Sequence, residues 1–301
     1  MRSLVIVVSL LTASALVGCS TNPATGRTQL DLLSDAEVRA MGEEAKPQLV
    51  QEYGGEHPSG ELRSYVDRVG RALLAGTEAH VAELNWEFIL LDSDVINAFA
   101  LPGGKVFMSR GLLERFDNEA ELAGVLGHEI GHVTAQHVDE RLSQTLAAQL
   151  GLSVLGSTTE SELINLGAGV LVQGTMLKFN RNQESEADVL GVRYMTRAGY
   201  DPYGMLEVLH VLQEASRGAK QPEFLSTHPH PETRIKTVTS LLGGEYAYTQ
   251  NNPSFKKYED RFRREAVPFL NAPGVATVSP ASFMHFCGTC AILANRDAAA
   301  R

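Results

Sequence analysis

A chain of 301 residues with 44% hydrophobic content can bury one sizeable core or two modest ones. Its formal charge of -10, from 26 Lys and Arg against 36 Asp and Glu, argues against a nucleic-acid partner, because a phosphate-binding surface needs clustered basic residues and no basic stripe occurs. Acidity alone says little about substrate.

Residues 1–18, MRSLVIVVSLLTASALVG, combine one basic residue, an apolar run and small residues, and read as a signal peptide too short for a spanning helix. Leu16-Val17-Gly18-Cys19 resembles the bacterial lipobox, which implies cleavage before Cys19 and its acylation. Several acyl chains together give stable membrane anchoring. The resemblance implies a chain anchored in the bacterial cell envelope and facing the periplasm, and Ser20 leans towards the outer membrane. Residues 19–32, rich in Ser, Thr, Asn, Pro and Gly after the cysteine, read as a tether.

A folded domain over 33–245 is expected to follow. Ser34 and Glu37 have capping-box spacing before Val38, Met41 and Ala45, and Pro47 is expected to kink or end that helix. Leu62, Tyr65, Val66, Val69 and Leu73 mark a second helix. From Trp86 to Ser109 the pattern changes to short apolar runs, NWEFILLDS, VINAFALP and KVFMS, which predict the strands of a small sheet. From Glu119 the chain reads as almost wholly helical. Polar residues interrupt the apolar stretch from Leu142 to Lys178 too often for a membrane span. Asp201-Pro202 starts another helix after Gly199. Residues 246–301 lose clear periodicity except around Lys256 to Phe269 and read as a peripheral tail; Cys287 and Cys290 within it suit a small disulfide better than a metal site.

The chemistry is concentrated in HEIGH. On a helix, His128 and His132 lie four apart on one face and can present two imidazole nitrogens to one metal ion, with Glu129 beside them as the general base of a zinc peptidase. Asn118 and Glu121 supply the N-terminal cap of that helix. Catalytic zinc takes three protein ligands. Ala135 and Val138 stand where a metzincin would have glycine and histidine, so the third ligand lies elsewhere. His137, five residues past His132, points off the ligand face and reads as structural or surface. In RNQESEADVLG, Glu184 and Asp188 again share a helix face, which suits Glu184 as third ligand and Asp188 as acceptor from the outer nitrogen of one ligating histidine; Glu186 faces elsewhere.

HEIGH, ESEAD and the earlier NAFALPGG together resemble the gluzincin metallopeptidases of the CAAX prenyl endopeptidase, HtpX and Oma type, over about Leu33 to Leu242. The lipoprotein signal makes the periplasmic lipoprotein branch (BepA/LoiP-like) the most similar. The resemblance implies an α+β, mainly helical zincin fold, one Zn2+ per chain and endopeptidase activity on misfolded or misassembled envelope proteins. It also implies roles for His228, in Thr227-His228-Pro229, and for Arg234. Either could stabilise the oxyanion on the attacked carbonyl, or His228 could occupy the open zinc position and hold the enzyme off. Asn97, Ala98, Phe99 and Ala100, with the strand after Gly104, resemble the family's exposed edge strand, where an extended substrate can pair. The alternative is a chaperone or assembly factor whose zinc site is latent or structural. Ligand type alone leaves another divalent metal open.

Overall fold

A computed structural model describes residues 18–78, 81, 84–151, 158–173, 178–218 and 222–270; the signal segment before Gly18, and Cys287 and Cys290, lie outside the described residues. The chain opens with a hairpin of β1 (Gly18–Thr21) and β2 (Thr28–Asp31), followed by helices α1 (Asp35–Glu52) and α2 (Gly60–Leu74). Strands β3 (Glu87–Leu91), β4 (Ala98–Leu101) and β5 (Lys105–Ser109) come next, then α3 (Arg110–Leu113), α4 (Glu119–Thr134), α5 (His137–Leu150) and α6 (Glu160–Val172). The remaining helices are α7 (Arg181–Arg197), α8 (Tyr203–Ala215), α9 (Phe224–Thr227), α10 (Pro231–Gly243) and α11 (Glu259–Glu265). This is the mainly helical α+β architecture that the sequence predicts. Among the described residues no helix is long and apolar enough to cross a membrane.

The three apolar runs become one sheet in the order β3-β5-β4, with β5 parallel to β3 and antiparallel to β4. Gly103 and Gly104, at φ 81° and 85°, make the tight β4–β5 turn, a conformation that costs glycine nothing. The order corrects one expectation. The strand after Gly104 is β5, which is paired on both sides, so the edges of this sheet are β3 and β4, and β4 lies beside α4.

The helix that carries HEIGH is fixed at its start by a capping box: Asn118 Oδ1 accepts from Glu121 N at 3.1 Å, and Glu121 Oε2 accepts from Asn118 N at 3.3 Å. Every residue of α4 is buried, against α2, α7, α8 and the sheet. Its contact with α7 is unusually close because small residues face each other. A Cβ placed at Gly131 would lie 2.8 Å from Ala187 O, and one at Gly127 would lie 3.3 Å from Gly191 Cα. With nothing larger between the backbones, the first turns of α7 stand directly over the histidines of α4.

Three boundaries differ from expectation. Pro47 does not end α1, which runs on to Glu52, because Val38, Met41, Ala45 and Leu49 are buried on both sides of it and that packing outweighs the lost backbone bond. Residues 19–32 are not a free tether: β1 pairs with β2, Asn22, Ala24 and Gln29 are buried, and Asn22 Nδ2 donates to Thr134 O at 3.0 Å at the end of α4. The stretch from 246 to 270 is not peripheral either. Phe262, Ala266 and Leu270 join the main core, Lys256 and Lys257 pair with backbone at Gly199, Asp201 and Ala120, and Arg261 meets buried Glu119. The anchors fall in and beside the one stretch, Lys256 to Phe269, where the sequence keeps some periodicity.

Adding one methyl group at the α4–α7 contact tests its closeness. Gly131→Ala should lower unfolding stability by about 1–3 kcal/mol in a denaturant titration, although alanine favours helix; an unchanged midpoint would show that the helices have room to spare.

Candidate active site

Four side chains from three parts of the chain converge in the core between α4, α7 and the segment after α9. His128, His132, Glu184 and His228 are all buried, and their donor atoms lie within 4.8 Å of one another. Nε2 of His128 is 3.1 Å from Nε2 of His132 and 3.2 Å from Nδ1 of His228. Glu184 Oε1 is 3.4 Å from His132 Nε2 and 3.0 Å from His228 Nδ1. Donors each about 2.0 Å from a tetrahedral cation stand roughly 3.3 Å apart, so these edges fit one zinc-sized ion.

The outer nitrogens support the same conclusion. His128 Nδ1 donates to Asp188 Oδ1 at 2.9 Å, as the spacing of Glu184 and Asp188 predicts, which leaves a lone pair on Nε2. His132 turns Nδ1 towards His137 at 3.0 Å, so its Nε2 also faces inward. Burial and the neighbouring Arg234 bring the His128 pKa down to about 4, and burial holds His132 well below its ordinary value, so both rings are neutral ligands at pH 7. Burial opposes ionisation of Glu184 and Asp188, but His228 and Arg234 beside the first, and Arg234 beside the second, keep both low. Three buried carboxylates, Glu129, Glu184 and Asp188, face one buried guanidinium, Arg234. When all are ionised, two negative charges are left, which a divalent cation neutralises.

Glu129 stands beside this group with Oε1 buried and without a hydrogen-bond partner, 3.6 Å from His228 Nε2. Burial pushes its pKa up to about 7, within reach of a general base at neutral pH. His228 stacks on Phe224, with ring centroids 4.2 Å apart. Burial disfavours its charge, but Glu184 and Glu129 outweigh that and raise its pKa. Nδ1 of His228 lies within the donor set itself.

Nε and Nη2 of Arg234 grip Asp188 at 2.9 and 2.6 Å, and Nη1 lies 2.9 Å from Glu184 Oε2. The guanidinium is paired with two carboxylates beside His128, a place from which it braces the donors. His230 is exposed.

At the start of the edge strand, Asn97 Nδ2 donates to Tyr53 Oη at 3.0 Å and to Glu223 Oε1 at 3.1 Å, while Ile96 O accepts from Phe224 N at 3.1 Å. Ala98 and Ala100 are buried and Phe99 is partly exposed. The segment that carries His228 is thus tied to the strand that borders the site. His137 and Glu186 were given no part in the site by the sequence, yet His137 is fully buried against His132 and bonds Glu186. A fifth-residue histidine after the pair was the available signal.

Two histidines one helical turn apart, a glutamate beside the first, and a carboxylate ligand from a neighbouring helix define a metal site of the gluzincin class in a zincin-like fold. The family model of peptidase family M48 matches residues 60–242, and the chain belongs to that family. Its members are zinc-dependent, and the site accommodates one zinc ion. The chain is 38% identical over 184 residues to the beta-barrel assembly-enhancing protease of Yersinia pestis, an alignment covering 58% of this chain and 37% of that relative. It is 35% identical over 185 residues to the protein of that name from Escherichia coli K12, with the same coverage. Against the mitochondrial metalloendopeptidase OMA1 of Schizosaccharomyces pombe it is 31% identical over 227 residues, covering 73% of this chain and 65% of the relative. The chain therefore spans little more than a third of the bacterial relatives it matches.

The raised pKa of Glu129 sets a pH dependence. The base is protonated below its pKa, so kcat/KM should rise with pH along an acid limb at or below about 7, the positive charge of bound zinc pulling the limb downward. A profile flat from about pH 5 to about pH 8 would remove Glu129 as the titrating base.

Proposed function

We propose that this chain is a zinc metalloendopeptidase of the bacterial envelope that hydrolyses peptide bonds in misfolded or misassembled proteins. The observation that carries the reading is Glu129, a buried carboxylate with a free oxygen beside the converging donors of His128, His132 and Glu184. Zinc held by those three residues would supply a Lewis acid that makes a water nucleophilic near neutral pH and polarises the scissile carbonyl. Glu129, through its free Oε1, would accept a proton from the attacking water and return it to the leaving amide nitrogen. Asp188 fixes the His128 ring by accepting from Nδ1, and Arg234 holds Asp188 and Glu184 in place. The side of β4 away from β5, with the preceding Asn97, pairs with no strand among the described residues; when uncovered, Asn97 to Ala100 would pair with an extended segment of substrate through backbone groups, which demands little sequence and suits unfolded protein.

The envelope and the substrate class draw support from the lipobox-like run ending at Cys19 and from relatives named as beta-barrel assembly-enhancing proteases. Acylation of Cys19 would anchor the chain to a membrane, the outer membrane by the lean of Ser20. Since β1, which contains Cys19, continues into a hairpin seated on α4, the anchor would hold the catalytic body close to the lipid.

A second reading has its own observation. With His228 Nδ1 within 3.2 Å of both His128 Nε2 and Glu184 Oε1, this histidine would be at hand as a fourth protein donor, which would suit a latent enzyme or a chaperone with a gated site.

Purified protein tests both readings on an unfolded protein substrate. Glu129→Gln should reduce cleavage by about 100-fold or more while zinc content is unchanged, and chelation should abolish it. Cleavage retained in that variant would remove the mechanism. His228→Ala should raise proteolysis severalfold if the histidine gates the site; a loss of rate would instead mark it as a donor to the transition state, and no change would remove it from both roles.

A further inference from the structure

Only one nitrogen of the His132 ring can face a metal. Nε2 lies among the donor atoms, and Nδ1 points the other way, 3.0 Å from Nδ1 of His137. Nε2 of His137 is 2.8 Å from Glu186 Oε2, and Arg27 Nε approaches the same carboxylate oxygen at 3.5 Å. An ionised carboxylate only accepts, so the proton of His137 sits on Nε2 and its Nδ1 carries a lone pair. His132 Nδ1 must then be the donor between the two rings. The lone pair of His132 is thereby placed on Nε2, where a cation needs it. His137 is fully buried, so water does not compete for that contact.

The backbone independently serves the same contact. In an unbroken helix a residue five further on points roughly 140° away, which is why His137 reads as off the ligand face. Here α4 stops at Thr134, Gln136 adopts the left-handed region at φ 55°, ψ 32°, and α5 begins at His137, which turns the imidazole back onto His132. A left-handed residue other than glycine is costly and is held by its surroundings. The surroundings are the N-terminal hairpin: Gln136 Oε1 accepts from Asn22 Nδ2 at 3.3 Å and from Gln29 Nε2. That hairpin also supplies Arg27.

We propose that His137 is a positioning residue of the metal site, which, aligned by Glu186 and Arg27, fixes the tautomer and orientation of His132 as Asp188 fixes those of His128. The inference rests on the metallopeptidase reading above. Guanidinium, carboxylate, imidazole and ligand imidazole form a chain, and its far end, Arg27, is a residue of the hairpin that contains Cys19.

The test compares zinc affinity by chelator competition, the absorption spectrum of the cobalt(II)-loaded protein and metal-free melting temperature in wild type, His137→Phe, His137→Asn and Glu186→Ala. His137→Phe should weaken zinc binding about 10- to 100-fold and shift the cobalt spectrum. His137→Asn, whose Oδ1 can still accept from His132 Nδ1, should recover most of the loss. Glu186→Ala, at a partly exposed side chain, should weaken binding by about tenfold with little change in metal-free melting. Wild-type zinc affinity and cobalt spectrum in His137→Phe would overturn the proposal, and so would equal losses in the Phe and Asn variants, which mark a packing role. Should His137→Phe fail to fold, Glu186→Ala decides alone: undiminished affinity overturns the proposal. A wild-type chain that takes up no zinc would instead remove the metallopeptidase reading beneath it.

Discussion

Two buried imidazole nitrogens 3.1 Å apart, each carrying a lone pair because the other nitrogen of its ring is committed to an acceptor, cannot satisfy one another. A carboxylate oxygen 3.4 Å from one of them adds to the conflict. In a dry core such convergence of lone pairs and negative charge is unfavourable unless a cation takes it up. The rest of the structure around the site depends on holding that conflict in place. The capping box at Asn118 and the burial of every residue of α4 keep the histidine helix rigid, and the glycine contact with α7 brings Glu184 and Asp188 to the correct depth.

Chain topology explains why so much of the molecule bears on so few atoms. The two helices that supply the donors are separated by α5 and α6, and α10 supplies Arg234, which ties Asp188 and Glu184 together. The hairpin at one end of the described residues and the segment through Phe262 at the other both close on α4: Asn22 at its last turn, and Lys257 and Arg261 at its first. Metal binding and folding should therefore be coupled, because each set of contacts is incomplete without the other.

The parts of this that were legible in the sequence are those with short-range spacing. His128 with His132, and Glu184 with Asp188, announce themselves because four residues make a turn, and the caps at Ser34 and Asn118 are equally local. The three strands were legible from their apolar runs, and the run at Ala98 was read as an edge, but the central place of β5 was not legible, since strand order follows from pairing across the sheet. His137 was hidden by the left-handed break at Gln136, a conformation no residue type at that position announces. Arg27 acts across more than a hundred residues, and the hairpin around it has the polar, turn-rich composition of a linker. Pro47 does not end its helix, because the local rule for termination was outweighed by tertiary packing. Arg234 was found as a residue, but its pairing with Asp188 and Glu184 was not legible, because sequence shows a cation but not which carboxylates claim it.

The position of His228 gives the site two faces. Its ring occupies the space nearest the donors, and the segment that carries it is pinned to Ile96 and Asn97 at the start of the edge strand, so access to the metal and access to the strand are linked through one short stretch of chain. The central claim is that one zinc ion sits between the inward nitrogens of two histidines and a carboxylate from the neighbouring helix. The most direct measurement is a crystal structure of the zinc-loaded protein with the metal located by anomalous scattering. The account predicts a single strong site ligated by His128 Nε2, His132 Nε2 and Glu184; zinc bound elsewhere, or through Nδ1 of either histidine, would contradict it.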